Sequence, residues 1–359
     1  MDAGLVGLTY SGKSTLFSAM TGLASEPPGS LKPHIGVAPI PDPALDALAR
    51  FVATKKIVPA TLQVVDVPGL VRGASEGKGF GNAFLSHIRQ VDALIHVVRA
   101  YEGGGVAHVE GSVDPARDID TVETELIIAD LQTVESALPK AEKSARRKDP
   151  GAQVRLDVLS TLKPILEDGR PARSISLDTP DERSALKSLG LLSAKRVLYV
   201  ANVDEDDALG QGPHAGAVRQ IAEREGMECQ CVCARIESEL AELDEADRDE
   251  MLEGLGLSEP ALSRVARTAY RLLGLQSFYT AGPKEIRAWT IHQGETAPEA
   301  AGAVHSDIQR GFIRAEVYSV ADMEELCSEK AIREAGRLRV EGKDYVMRDQ
   351  DVVHFRFNV

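Results

Sequence analysis

The chain has 359 residues, 43% of them hydrophobic, and a formal net charge of −14, so it is too long for one ordinary core and implies two or three domains. Its acidity argues against a broad, nonspecific electrostatic hold on nucleic acid or anionic membrane, and leaves only a local basic patch for such contacts. No apolar stretch approaches a membrane span, and the N-terminus lacks the basic-apolar-small pattern of a signal peptide, so a cytoplasmic address with no membrane partner is expected.

The first apolar run, residues 3–8, reads as a strand, and TLFSAMTGL reads as a helix. Between them lies Gly7-Leu8-Thr9-Tyr10-Ser11-Gly12-Lys13-Ser14-Thr15, a complete G-x-x-x-x-G-K-[ST] phosphate loop in the strand-turn-helix context that the motif requires. The backbone amides of these residues, with the positive end of the helix, form an anion nest. Lys13 is placed to reach the β- and γ-phosphates, and the Ser14 hydroxyl to ligate the magnesium ion that bridges them. The chain is therefore expected to bind a nucleoside triphosphate with Mg²⁺.

The next strand, LQVVDV, ends at Asp66, followed by Val67-Pro68-Gly69. A D-x-x-G behind a phosphate loop supplies a carboxylate that holds Mg²⁺ through water and a glycine whose amide can turn to the γ-phosphate. Many GTPases carry glutamine after that glycine to orient the attacking water; here it is Leu70, which cannot hydrogen-bond water. Hydrolysis must then be slow or use another group. Beyond the strand ALIHVV, the glycine-rich EGGGVAHVEG carries His108, whose imidazole could orient or deprotonate water. A lone loop histidine is more often only solvated, and His87, His96 and His354 lie in periodic segments where packing accounts for them.

A charged, helix-periodic interval of about residues 114–189 reads as an antiparallel helical hairpin inserted into the nucleotide domain, which would comprise 1–113 and 190–277. Its first helix ends in Lys140, Lys143, Arg146, Arg147 and Lys148. These can meet RNA phosphates, or simply complement the helix dipole. RVLYV is the next strand, and Asn202-Val203-Asp204-Glu205 stands where a guanine reader would have Asn-Lys-x-Asp. Asn202, Val203 and Glu205 are thus the candidate base-site residues. Cys229, Cys231 and Cys233 alternate along MECQCVCA, which fits small core residues better than a tetrahedral metal site. From about 278 to 359, AWTIHQG, FIRAEVYS, YVMRDQD and VVHFRFNV read as strands of a small β-rich domain. The whole is an α/β chain built on a doubly wound parallel sheet.

Three long strings, DVPGLVRGASEGKGFGNAFLSHIRQVDALIHVVRA, ANVDED, and the tail from AWTIHQGETAPEAAGAVHSDIQRGFIRAEV to GKDYVMRDQDVVHFRFNV, resemble the YchF or Obg-like ATPases over essentially the full length. That resemblance implies a ribosome-associated ATPase that prefers ATP to GTP and uses Mg²⁺. It also implies a C-terminal TGS domain of ubiquitin-like α+β form, ribosome or ribosomal RNA as partner, and a role for His108 in hydrolysis. Where the family's phosphate loop usually has Pro, Asn and Val, this chain has Thr9, Tyr10 and Ser11. Aligned with the family's first switch, Ser30 falls at the threonine that ligates the metal.

Overall fold

A computed structural model describes residues 2–24, 33–69, 81–103 and 105–358. In chain order the first elements are β1 (Asp2–Val6), α1 (Lys13–Thr21), β2 (His34–Pro39), α2 (Pro43–Phe51), β3 (Ile57–Val58), β4 (Thr61–Asp66), α3 (Gly81–Gln90) and β5 (Ala93–Ala100). There follow α4 (Pro115–Arg146), α5 (Ala152–Glu167), α6 (Pro180–Leu189), β6 (Arg196–Val203), α7 (Pro213–Glu225), β7 (Glu228–Val232), α8 (Ala234–Glu242), α9 (Glu245–Gly254) and α10 (Ala261–Leu272). The chain closes with β8 (Leu275–Ala281), β9 (Ile286–His292), α11 (Ala297–Val304), α12 (Ser306–Arg310), β10 (Phe312–Ser319), α13 (Val320–Leu326), α14 (Glu329–Glu334), β11 (Arg339–Glu341) and β12 (Asp351–Phe357).

These elements form two units, one of residues 1–37 and 63–265 and another of 38–62 and 266–359. In the first, the strand order is β2-β4-β1-β5-β6-β7. β1 pairs in parallel with both β4 and β5, and β5-β6-β7 continue in the same direction. β5 is buried along all of its length and β6 along all but its first residue, as strands covered on both faces must be. That is why ALIHVV and RVLYV are unbroken apolar runs rather than alternating ones. Because β1 is central and its neighbours come later in the chain, the order reverses beside it, and the loops at the carboxyl ends of β1, β4, β5 and β6 open on one edge. Ligands of doubly wound sheets bind at such a reversal.

The expected helical hairpin is α4 and α5, with a third helix, α6, beside α5. α4 starts at Asp114, whose side chain accepts the Arg117 N–H, with Pro115 in the first turn. The arm has its own core of Val134, Val158, Leu159, Leu162 and Leu166, and is fastened to the rest of its unit by Asp130. That fully buried carboxylate accepts the amides of Leu192 and Ser193 at 2.8 and 2.7 Å and the Ser193 hydroxyl at 2.7 Å.

The second unit is a mixed sheet in the order β11-β10-β12-β8-β9-β3, with α11 contributing Ala297, Ala300 and Ala301 to a core that includes Phe278, Phe312 and Val353. Residues 38–62 belong to it because β3 pairs with β9 and the Tyr279 hydroxyl donates to Asp42 at 2.6 Å. Three of the four strands expected in the tail are present as β9, β10 and β12. YVMRDQD is instead a turn: Val346 makes only an isolated bridge to Thr296, Gln350 has φ 66°, and the Asp351 carboxylate accepts the Arg348 N–H at 2.9 Å. The same carboxylate accepts the Tyr345 hydroxyl at 2.7 Å, so the segment closes on itself instead of extending across a sheet. Among the described residues no helix is long and apolar enough to cross a membrane.

Candidate nucleotide-binding site

The phosphate loop turns out of β1 and into α1. Gly7 has φ 147°, and a Cβ there would lie 2.3 Å from the Val97 carbonyl oxygen. Gly12 has φ 95°, and a Cβ there would lie 2.1 Å from Asn202 Nδ2. Only glycine fits these positions, for conformation and for space. The end of α1 at Gly12 has no side-chain cap, which leaves its first amides available to an anion.

Lys13 is 6% exposed, and its ammonium donates to the carbonyls of Gly7 at 3.1 Å and Leu8 at 2.8 Å. Burial lowers its pKa to about 8, against the opposing pull of Asp66. The Ser14 hydroxyl donates to Asp66 Oδ2 at 2.8 Å. Asp66 Oδ1 is buried and has no hydrogen-bond partner, and desolvation raises the carboxyl's pKa although Ser14 and Lys13 act the other way. A buried carboxylate oxygen left unsatisfied beside a lysine and a hydroxyl fits a hard divalent cation, which takes oxygen ligands. Gly69 completes this end: a Cβ there would come within 3.0 Å of Thr9 Oγ1 and 3.3 Å of Lys13 Nζ. The structure thus brings together Lys13, Ser14, Asp66 and Gly69, residues separated by up to 56 positions. Ser30 and Leu70 lie outside the described residues.

At the other end, a cleft of about 190 Å³ is lined by Gly12, Thr15, Tyr101, Asp204, Ala234 and Arg235, among others. Asn202 is 4% exposed; its Nδ2 donates to the Ser11 carbonyl at 2.9 Å and its Oδ1 accepts the Ala234 N–H at 3.0 Å. It ties the phosphate loop to the start of α8. Val203 is 2% exposed and packs in the core. Asp204 accepts the amides of Glu102 at 2.9 Å and Gly103 at 3.3 Å. Glu205, on the rim, pairs with Arg235 at 2.7 Å.

The structure does not leave His108 free. Its Nε2 lies 2.7 Å from Asp118 Oδ2, and its Nδ1 accepts the Glu110 N–H at 3.0 Å, so the remaining N–H points to Asp118. The side chain is 5% exposed. His96 is buried in β5, which lowers its pKa to about 3 and keeps the ring neutral, and His354 lies 3.3 Å from Glu329. Cys229 and Cys231 are half-buried and pack against the core of the first unit, while Cys233 is buried within it. Tyr101, Ala234 and Arg235 were not singled out in the sequence. The signal lay in position alone: each follows a parallel strand, at the same edge as the phosphate loop.

Comparison with known proteins identifies the family. Residues 2–134 match a family model described as "50S ribosome-binding GTPase". Residues 275–358 match the model for the C-terminal domain of YchF GTPases, described as "Protein of unknown function (DUF933)". The protein named "Ribosome-binding ATPase YchF" from Haemophilus influenzae is 48% identical over 360 residues, covering 99% of each chain. Its namesake from Bacillus subtilis is 45% identical over 365 residues, covering all of both. The solved structure titled "Structure of the Schizosaccharomyces pombe YchF GTPase" matches with a TM-score of 0.86 at 32% identity, covering 99% of this chain and 97% of that one. The chain belongs to the YchF family.

Proposed function

We propose that this YchF-family chain is a ribosome-binding, magnesium-dependent ATPase that hydrolyses ATP to ADP and phosphate in the cytoplasm, as a nucleotide-dependent switch in translation or its regulation. The observation that carries the reading is the Ser14–Asp66 pair, 2.8 Å long, with Asp66 Oδ1 buried and unpartnered beside Lys13. Ser14 and Asp66 are the residues that would hold the metal, with Ser30 as a third. Bound there, Mg²⁺ supplies positive charge to the β- and γ-phosphoryl oxygens. Lys13 adds its own charge to those oxygens, the amides of the phosphate loop and of the first turn of α1 donate to them, and that of Gly69 joins once it turns to the γ-phosphate. His108 acts on the attacking water once its ring leaves Asp118.

The base end supports ATP over GTP. Guanine presents an adjacent pair of donors that a free carboxylate can take, and adenine has no such pair on that edge. Neither acidic side chain here is free, since both Asp204 oxygens accept loop amides and Glu205 pairs with Arg235. For the ribosome, the relatives' names are joined by the cluster Lys140, Lys143, Arg146, Arg147 and Lys148, all exposed at the end of α4, which is suited to ribosomal RNA phosphates. The C-terminal segment, as a TGS domain, shares in that contact.

The test is titration of ATP and GTP against the magnesium-loaded chain, followed by single-turnover hydrolysis. ATP should bind more tightly and be cleaved slowly. Asp66→Ala should weaken the magnesium dependence, and His108→Ala should lower turnover without weakening ATP binding. Preference for GTP by about tenfold, or 1.4 kcal/mol, would overturn the substrate assignment. Unaltered turnover in His108→Ala would remove that residue from the mechanism.

A further inference from the structure

Tyr10 is the only non-glycine residue of the phosphate loop with a positive φ, 65°, a region that a bulky L side chain enters only at a cost. The residue is 54% exposed, so packing of the side chain does not account for the conformation. The peptide that joins it to Ser11 is pinned at both ends. The Ser11 N–H donates to the Leu8 carbonyl at 3.3 Å, and the Tyr10 carbonyl accepts the Tyr101 hydroxyl at 2.8 Å. The same Leu8 carbonyl takes the Lys13 ammonium, so the orientation of this peptide is continuous with the seat of the lysine.

Tyr101 is itself fixed. Arg99, 3% exposed, stacks on its ring at 4.4 Å and donates from Nε to its carbonyl at 3.2 Å, while Nη2 reaches the Val106 carbonyl at 2.8 Å. Burial raises the pKa of the Tyr101 hydroxyl, so at neutral pH it keeps the proton it donates. The residue that restrains the loop is thus 91 positions from Tyr10 in the chain and is held from below by an arginine.

We propose that Tyr101 is a positioning residue for the nucleotide, its hydroxyl holding the Tyr10–Ser11 peptide so that the strained phosphate loop is preformed before ATP arrives. The inference rests on the reading of residues 7–15 as a triphosphate site. Without the hydroxyl, Tyr10 relaxes out of the left-handed region, and binding must then re-form the loop. Asparagine tolerates that region. With Asn at position 10 the loop needs no external restraint, and the Tyr101 hydroxyl becomes dispensable.

The experiment is a double-mutant cycle on the full chain: ATP and magnesium titrated by calorimetry into wild type, Tyr101→Phe, Tyr10→Asn and the double variant, with thermal melts of each without nucleotide. Tyr101→Phe should bind ATP about five- to tenfold more weakly, the range of one lost hydrogen bond, with little change in melting temperature. Tyr10→Asn serves as the second background, and adding Tyr101→Phe to it should cost nothing further relative to Tyr10→Asn alone. Equal loss from Tyr101→Phe in both backgrounds would overturn the proposal, as would no loss in either. Failure of wild type itself to bind ATP would instead overturn the triphosphate reading beneath it.

Discussion

The two ends of the nucleotide site are built on different principles. At the phosphate end, the proposed recognition rests on backbone amides, one lysine and one hydroxyl–carboxylate pair, and the groups come from two short motifs. At the base end, two of the three candidate readers hold the protein together: Asn202 bridges Ser11 and Ala234, and Val203 lies in the core. The third, Glu205, pairs with Arg235 on the rim, while Asp204 beside it holds the amides of Glu102 and Gly103. A phosphate presents the same charge and shape in every nucleotide, so the chemistry that meets it is fixed and compact. A base edge has to be met by whatever side chains three separate loops bring to it.

The sharpest break between the two ends should come from Lys13→Ala. It removes the buried cation of the loop, and charge-assisted bonds to phosphate are strong, so ATP and GTP affinities should fall together by about a hundredfold or more. Stability should hold or rise, because burial opposes the charge of Lys13 in the folded chain. Calorimetric titration with a thermal melt of the free protein checks both halves. Wild-type affinity in a folded variant would remove the phosphate end from the site.

This difference also explains what was legible in the sequence. G-x-x-x-x-G-K-S and D-x-x-G report local backbone geometry and ligand type, so Lys13, Ser14, Asp66 and Gly69 could be named from residue order alone. The parallel strands were legible because burial on both faces leaves unbroken apolar runs. Asn202 was legible as a site residue but not as a tie, since its partners Ser11 and Ala234 are 191 and 32 residues away. Tyr101 and Arg235 gave no local signal. Nor did residues 38–62 announce that they pack with the C-terminal unit, because a two-residue strand such as β3 has no periodicity to read. His108 stood out as a lone loop histidine, while the clasp on Asp118 depends on where α4 begins.

An intermediate effect is expected from Asn202→Ala, which acts on the join between the ends. It would leave the Ser11 carbonyl and the Ala234 N–H buried without partners, at about 1–3 kcal/mol for such a group, so urea unfolding should show a loss of that order or somewhat more. Because Asn202 supports the loop rather than reading the base, ATP and GTP affinities should drop in the same proportion. A changed ATP-to-GTP ratio with unchanged stability would make Asn202 a reader after all and erase the contrast between the ends.

The smallest effect belongs to the rim of the base cleft. Glu205 and Arg235 pair at 2.7 Å, but their side chains are 52% and 71% exposed, and an ion pair so open to water contributes little to stability. Its consequence is instead for choice of base, since the arginine occupies the carboxylate nearest in kind to the one that reads guanine. Arg235→Ala frees that carboxylate to accept from the guanine donors and gives adenine nothing in exchange. GTP affinity should therefore rise while ATP affinity stays level, narrowing the preference by about two- to fivefold, within the range of one exposed charged contact. Competition between the two nucleotides on the folded variant measures the ratio directly. If it does not move, Glu205 does not face the base edge, and the proposed preference for adenine must come from the shape of the cleft between Tyr101 and Ala234.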